Sequence, residues 1–325
     1  MTISILITYY NQENFVDDSI NSVLAIDFPC EYEILIGDDG SSDKTLEKVR
    51  AFQKKYPDVI KYFVMPRDQN IIYEPIYRAS ANRLNLLRNA SGDYVLFLDG
   101  DDFYCDREFV KQALEQFRMR SDIIACAFNF QYYYPKENKV QIGCLHKQGF
   151  FYSREYVKYS YTPSGAIVFK NVFKDGNIKR LEQNKVFDDN VITVFALQYG
   201  ELFCFDRVVY TYQQFATSSW NDRTDAERLL LNAMDFHIIS SVAPKFRKEL
   251  AKRQWGAIRA VYKLRRSLQQ LLGDDKYKTY VEQTQANKDK FIAALLRWNQ
   301  ISLWNKLKVV IKYHMIKWRL GLEFF

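Results

Sequence analysis

Apolar and polar positions follow two rhythms along the first hundred residues. Short, almost wholly apolar runs, ISILITY at 3–9, YEILIGD at 32–38, IKYFVM at 60–65 and YVLFLD at 94–99, predict strands buried on both faces. Between and after them the spacing lengthens to that of amphipathic helices: FVDDSINSVL at 15–24, DKTLEKVRAFQKKY at 43–56, a stretch from about Ile76 to Asn89, and REFVKQALEQFR at 107–118. Ser41, Ser42 or Asp43 is the expected N-cap of the second helix. Strand and helix in alternation mean βαβ units and a mostly parallel sheet.

From about Ile123 the rhythm changes. IIACAFNFQYYY (123–134) and KVQIGCLH (139–146) predict antiparallel strands, and TPSGAIVFK (162–170) another after a tight turn. NKVFDDNVITVFALQYG (184–200) predicts a helix, ELFCFDRVVYTYQ (201–213) a closing strand, and the chain beyond Trp220 is helical in pattern almost throughout. The expected fold class is α/β, a mixed, mostly parallel central sheet flanked by helices, with a helical C-terminal extension. The expected division is 1–220 and 221–325, the first part separating at about 105/106.

Composition adds a class and a location. Apolar residues at 48% and charged residues at 26% are ordinary for a globular protein, whereas 16% aromatic residues is high. Five scattered cysteines without a CxxC pair argue against a disulfide framework or structural zinc and for a reducing compartment. ISILITYY is too short for a signal-peptide core, and no apolar run approaches the roughly 18 residues of a membrane span. The expected location is cytoplasmic. From Lys245 onward there are 19 Lys and Arg against 6 Asp and Glu, a net of +13, while the first 244 residues carry 27 against 33. An acidic body with a basic tail predicts different partners for the two parts.

The chemistry lies at the strand ends, where ligands of parallel sheets bind. YVLFLDGDD (94–102) runs an apolar strand into three carboxylates in four positions, a repulsion that a cation relieves. Asp99 and Asp101 around Gly100 can share Mg²⁺ or Mn²⁺, cations that take one or two carboxylates and complete their shell with substrate phosphates. The competing reading of the triplet is a solvated acidic turn. IGDDGSSDKT (36–45) fixes Asp38 and Asp39 after the second strand, where a carboxylate can accept from a nucleobase or a ribose. ITYYNQENF (7–15) brings Tyr10 to the same edge as a candidate for base stacking.

Taken together these stretches resemble the family 2 glycosyltransferases, enzymes of the GT-A fold. ILITYYN is similar to the family's strand followed by P-T-Y-N, with Thr8 in place of the proline. Asp38-Asp39-Gly40-Ser41-Ser42-Asp43-Lys44-Thr45 matches (D/E)-D-G-S-x-D-x-T, and Ala90 through Asp102 matches A-x-G-x-Y-(I/V)-x-x-L-D-x-D-D. GDDFYCDR (100–107) is similar to the G-D-D-Y-W-x-D-P of one branch. The likeness spans about residues 3–220. It implies an inverting, metal-dependent transfer of a sugar from a nucleotide-sugar, UDP by family habit, to a glycan or lipid-linked glycan. It further implies that Asp39 contacts the base with Thr8 and Tyr10 lining its pocket, that Asp99 reaches ribose or metal, and that Asp101 ligates the metal. Asn82 or Arg83 is expected near the phosphates or the base, although Leu84 breaks the family's Arg-Asn pair.

An inverting transfer needs a base for the acceptor hydroxyl. The resemblance puts it in Phe187-Asp188-Asp189-Asn190, with Asp189 first and Asp188 second; a plain helix cap is the competing reading. Where the family carries Y-R-x-H, this chain reads Tyr210-Thr211-Tyr212-Gln213.

In the tail, Trp304, Leu307, Ile311, Met315 and Trp318 recur at helical spacing among Lys306, Lys308, Lys312, Lys317 and Arg319. That pattern suits a helix in the interface of an anionic membrane. Packing on the domain and a homodimer contact compete with it, and nucleic acid is disfavoured by the acidic site. The alternatives to a transferase are a nucleotide- or membrane-binding module with a degenerate site and a sugar nucleotidyltransferase. The second needs a Gly-rich phosphate loop with a basic residue, which ITYYNQENF lacks.

Overall fold

The structure, a computed structural model, describes residues 1–68, 71, 75–144, 147–159, 161–174, 176–182, 186–215, 228, 232, 236, 239–263, 303, 304, 307, 308, 310 and 311. The chain forms two compact units, Met1–Ser219 and Trp220–Phe325.

In the first unit the expected strands form as β1 (Thr2–Tyr9), β2 (Glu31–Asp38), β3 (Ile60–Val64) and β4 (Tyr94–Asp99). They pair in parallel, and α1 (Val16–Leu24), α2 (Thr45–Lys55) and α3 (Pro75–Asn89) are the crossovers. Ile3, Ile5, Ile7, Ile34, Ile36, Leu96 and Leu98 are buried, as runs covered on both faces require. Thr8 pairs with Gly37 on one side and Asp99 on the other. Register alone therefore brings the three chemically distinctive strand ends to one edge.

Beyond β4 the chain adds β5 (Phe103–Tyr104), α4 (Phe109–Met119), β6 (Ile123–Tyr134), β7 (Lys139–Cys144), β8 (Gly149–Phe151) and α5 (Ser153–Tyr159). It continues through β9 (Ile167–Lys170), α6 (Asn177–Glu182), α7 (Asp189–Ala196) and β10 (Glu201–Gln213). The sheet runs β3-β2-β1-β4-β9-β6-β10-β5, with β7 on β6 and β8 on β10. β9 is antiparallel to both neighbours, while β10 runs parallel to β6, so the second half is mixed.

Several boundaries differ from expectation. Among the described residues of the helix expected over 184–200, the helix forms at Asp189–Ala196, where the Asp188 carboxylate caps it by accepting from the Val191 N–H. The strand expected over 162–170 is shortened to Ile167–Lys170 by a helical turn at Ser164–Ala166. In α2, Lys44 stands at the cap position without a side-chain bond, and Asp43 accepts from the Thr45 N–H instead.

In the second unit, α8 (Arg247–Lys263) follows a 3₁₀ turn at Pro244–Phe246, and Ile239, Val242, Phe246 and Leu250 are buried. Residues 303, 304, 307, 308, 310 and 311 are helical, and the Lys308 ammonium lies 5.4 Å from the Trp255 ring. Met315 and Trp318 of the tail stripe lie outside the described residues. Among the described residues no helix is long and apolar enough to cross a membrane.

Candidate active site

The loops leaving β1 and β2 are sewn together by side chains that replace the hydrogen bonds a ladder would have supplied. Asn11 donates from its N–H to Ser41 Oγ at 2.9 Å, and its Oδ1 accepts from the Ser42 N–H at 2.8 Å. Gln12 donates from its N–H to Thr45 Oγ1 at 2.8 Å. The turn needs two left-handed residues, Asn11 at φ 51° and Gly40 at φ 71°, types that tolerate that region.

Asp39, only 3% exposed, sits in a clamp of two arginines. Arg67 and Arg78 each pair with one of its carboxylate oxygens, and Arg67 Nε also donates to the Asp39 carbonyl at 2.7 Å. The Arg67 guanidinium lies 3.7 Å from the centre of the half-exposed Tyr10 ring. A planar cation thus covers a ring that the sequence offers to a base. Neither arginine carries a local sequence signal, since both come from remote stretches.

At β4 the Asp99 carboxylate accepts through Oδ1 from Thr8 Oγ1 at 3.3 Å and from Arg83 Nη2 at 2.5 Å. Burial alone would weaken the Arg83 guanidinium as a base. Asp99 and Asp189 outweigh it and hold its pKa above the ordinary value. Asn82, on the neighbouring face of α3, is 1% exposed and donates Nδ2 to the Gly37 carbonyl at 2.9 Å. A Cβ on Gly37 would stand 2.1 Å from Asn82 Oδ1, so that glycine is what lets α3 approach β2. Arg83 reaches the strand ends, and Asn82 fastens the helix that carries it.

Gly100 lies in the turn that follows β4. Its backbone is not left-handed; a Cβ there would meet the Tyr9 ring at 2.1 Å, so close packing requires the glycine. Asp102 is buried and accepts from the Tyr210 hydroxyl and from the Gln213 N–H at 2.8 Å. Burial, with Asp101 and Asp99 nearby, pushes its carboxyl well above the usual range. Gln213 also donates Nε2 to the Asp101 carbonyl, so the residue standing where the family carries histidine grips the acidic turn directly.

Asp101 is half-buried, and burial together with the Asp99 charge pushes it up to about 6, against a hydrogen bond from Gln12. Asp99 Oδ2 accepts nothing from the described residues. Among these residues no cluster of three or more His, Cys, Asp or Glu could enclose a metal. Two carboxylates, one with a free oxygen and one short of counter-charge, fit a hard divalent cation that completes its shell with phosphate and water.

Asp188 and Asp189 divide the labour at α7. Asp188 caps the helix, and burial raises its carboxyl. Asp189 accepts through Oδ1 from the Ser164 hydroxyl at 2.5 Å and the Ser164 N–H at 3.2 Å, and through Oδ2 from the Tyr161 hydroxyl at 3.2 Å. Arg83 Nη1 donates to the Phe187 carbonyl at 3.4 Å, and Ser80 Oγ accepts from the Phe187 N–H at 2.8 Å. One face of α3 therefore ties the Asp99 turn to the Asp188–Asp189 turn. Thr8, Asp99, Asp101, Arg83, Asp188 and Asp189 belong to this connected group, while Asp39 and Tyr10 form the adjoining clamp.

Residues 4–176 match the model of the family described as Glycosyl transferase family 2. A poly(ribitol-phosphate) beta-glucosyltransferase of Bacillus spizizenii is 35% identical over 104 residues, 32% of this chain and 15% of that one. A GalNAc(5)-diNAcBac-PP-undecaprenol beta-1,3-glucosyltransferase of Campylobacter jejuni is 37% identical over 100 residues, 31% of this chain and 29% of that one. The chain thus spans less than a third of either relative. In fold it is similar to Staphylococcus aureus TarS 1-349 in complex with UDP-GlcNAc, with a TM-score of 0.65 and 16% identity over 100% of this chain and 93% of that one. With its family pattern spread over more than half its length and its acidic strand ends gathered at one edge, the chain belongs to glycosyl transferase family 2 and has the GT-A fold.

Proposed function

We propose that this glycosyltransferase moves a sugar from a nucleoside-diphosphate donor, with UDP as the nucleotide, to a hydroxyl of a glycan or lipid-linked glycan in surface polysaccharide synthesis, inverting the anomeric carbon. The observation that carries the reading is Arg83, whose guanidinium joins the Asp99 turn to the Asp188–Asp189 turn. Donor-side and acceptor-side carboxylates then face a single reacting centre. A UDP-GlcNAc complex of a protein with this fold and the activities for which the two relatives are named support the nucleotide and the acceptor class.

In this reading Tyr10, Thr8 and Asp39 receive the nucleoside, with Arg67 and Arg78 fixing the Asp39 carboxylate, and Asn82 holds Arg83 in place. Asp189 takes the proton of the attacking hydroxyl, whose oxygen bonds to the anomeric carbon. The bond from that carbon to the diphosphate breaks, and its electron pair leaves with the diphosphate. Ser164 and Tyr161 keep the base carboxylate oriented for this. Bound at Asp101 and Asp99, Mg²⁺ or Mn²⁺ would neutralise charge developing on the departing diphosphate.

The same reading puts the enzyme at the cytoplasmic face of a membrane. Its support is an exposed apolar face on the helical residues of the basic tail, Leu303, Trp304, Leu307 and Ile311.

The test is a thermal-shift screen of nucleotides and nucleotide-sugars with Mn²⁺, Mg²⁺ or EDTA, followed by donor turnover. Stabilisation by one diphosphate nucleotide, metal-dependent and lost in Asp101→Asn, is expected. Absence of a shift with every nucleotide would refute the donor site. A shift without sugar release or transfer would favour a binding module.

A further inference from the structure

The acidic turn after β4 is clasped from two sides. On one side stands the loop after β1. There the Gln12 carboxamide lies against Gly100, its Oε1 2.7 Å from where a Cβ would be, and hydrogen-bonds the Asp101 carboxylate. On the other side stands the end of β10. There Gln213 donates Nε2 to the Asp101 carbonyl and its backbone N–H to Asp102 Oδ1 at 2.8 Å. The two sides are fastened to each other as well: Phe15, just past Gln12, and Phe215, just past Gln213, hold their rings 5.0 Å apart.

The Gln12 amide has a determined orientation. Its Oε1 accepts from the Tyr10 N–H at 3.3 Å, so the NH₂ end faces Asp101. Its backbone N–H is bonded to Thr45 Oγ1 at 2.8 Å, and Thr45 is buried. Gln213 is held by the ladder, opposite Tyr133 of β6. Both side chains are neutral, which matters beside this carboxylate. Among the described residues Asp101 makes no ion pair; Arg83, within electrostatic range, is bonded to Asp99 instead. An amide orients a carboxylate and leaves its charge intact. An ammonium or a guanidinium would orient it and neutralise it too.

We propose that Gln12 and Gln213 are positioning residues for the divalent cation of the acidic turn: they fix Asp101 by its carboxylate and its carbonyl and leave its negative charge to the metal. Outer partners of a metal ligand typically contribute about 10–100-fold in affinity. Gln12 also links the two ends of the donor site, since one carboxamide spans the Tyr10 backbone on the nucleoside side and Asp101 on the diphosphate side.

This proposal rests on the metal-dependent transfer reading. The experiment is a Mn²⁺ titration of the whole chain with UDP bound, reading free Mn²⁺ by electron paramagnetic resonance. The proteins are the wild type, Gln12→Met, Gln213→Met and Gln12→Lys, with uridine binding in the absence of metal and thermal melts recorded on each. Methionine keeps the reach of the side chain and removes the amide. Each methionine variant should lose about 10–100-fold in Mn²⁺ affinity and retain uridine binding. Gln12→Lys keeps a donor but adds a charge; it should melt no lower than the wild type and still bind Mn²⁺ more weakly, a split that a merely structural strut would not produce. Should Gln213→Met fail to fold, the two Gln12 variants decide, because the Gln12 side chain is only half-buried. Unchanged Mn²⁺ affinity in the methionine variants, or in Gln12→Lys, overturns the proposal. So does a loss of Mn²⁺ affinity that uridine binding shares, which would make the glutamines props of the fold. A wild type that binds UDP without taking up Mn²⁺ would overturn the metal reading itself, and the proposal with it.

Discussion

The Arg83 guanidinium lies 2.5 Å from Asp99 Oδ1 and reaches the carbonyl of Phe187, the residue before the Asp188–Asp189 pair. A planar fork offers both partners separate donors in a fixed geometry, whereas an ammonium is a compact point charge. Arg83→Met should therefore lower kcat/KM by about 10²-fold, the scale on which removing one donor from a developing charge acts. Its stability cost should stay near 1–2 kcal/mol, since Asp99 is a third exposed and water screens the charge left behind. Arg83→Lys should recover most of the melting temperature but little of the turnover. Equal recovery of both would show that charge alone matters at this position.

The two carboxylates at α7 should separate on substitution. Asp189→Asn is expected to abolish transfer, a loss of roughly 10²–10⁴-fold, with the melting temperature nearly unchanged. Asp188→Asn keeps a capping oxygen and should be mild in both respects, whereas Asp188→Ala should cost about 1 kcal/mol through the lost cap on Val191. Transfer rates and thermal melts on the three variants decide it. The reverse pattern, with Asp188→Asn dead and Asp189→Asn active, would exchange the roles.

Much of the site was legible because strand ends advertise themselves. An apolar run broken by carboxylates marks both the strand and its terminus, and parallel register then brings Thr8, Gly37 and Asp99 side by side. What was not legible came from residues whose function exists only in three dimensions. Arg67 and Arg78 reach Asp39 from other segments, and Ser164 reaches Asp189 from a turn that reads as the start of a strand. The constraint on Gly100 is likewise spatial, because the Tyr9 ring stands where its Cβ would be. The helix expected over 184–200 was too long for a different reason: apolar residues flank a cap that only Asp188 supplies.

Acid should compete with the metal. Burial and Asp99 raise Asp101 to about 6, so below that pH its carboxylate binds a proton that a divalent cation must displace. Mn²⁺ affinity in the presence of UDP should fall about tenfold per pH unit below 6 and level off above 7. Burial raises Asp188 likewise, and the sign for folding follows. A carboxyl with a raised folded pKa contributes most below its unfolded value of about 3.9 and loses that contribution as pH rises through its folded one. Without metal the protein should thus lose some stability between about pH 4 and 6, and Asp188→Asn should flatten that slope. Calorimetric titrations and melts over this range test both statements; pH-independent Mn²⁺ affinity would remove Asp101 from the metal site.

The tail makes a prediction of a different kind. On a helix advancing about 100° per residue, Leu303, Trp304, Leu307 and Ile311 fall within one arc of roughly 100°. They are 84%, 65%, 49% and 54% exposed, while the Lys308 ammonium sits beside the Trp255 and Trp304 rings at the margin of that arc. Apolar residues alone could equally be covered by a second copy of the chain, but a net of +13 from Lys245 onward opposes its own image and favours an anionic surface. Vesicles containing phosphatidylglycerol should therefore capture the protein, and pure phosphatidylcholine vesicles should not. Leu307→Glu should abolish capture through the apolar face. Lys308→Gln with Lys312→Gln should weaken it by about 2 kcal/mol, roughly thirtyfold, at about 1 kcal/mol per cation, and salt should mimic that loss. Sedimentation with vesicles measures capture, and sedimentation velocity without them measures self-association. Dimers broken by Leu307→Glu, with no capture by either vesicle, would assign the face to a second copy instead.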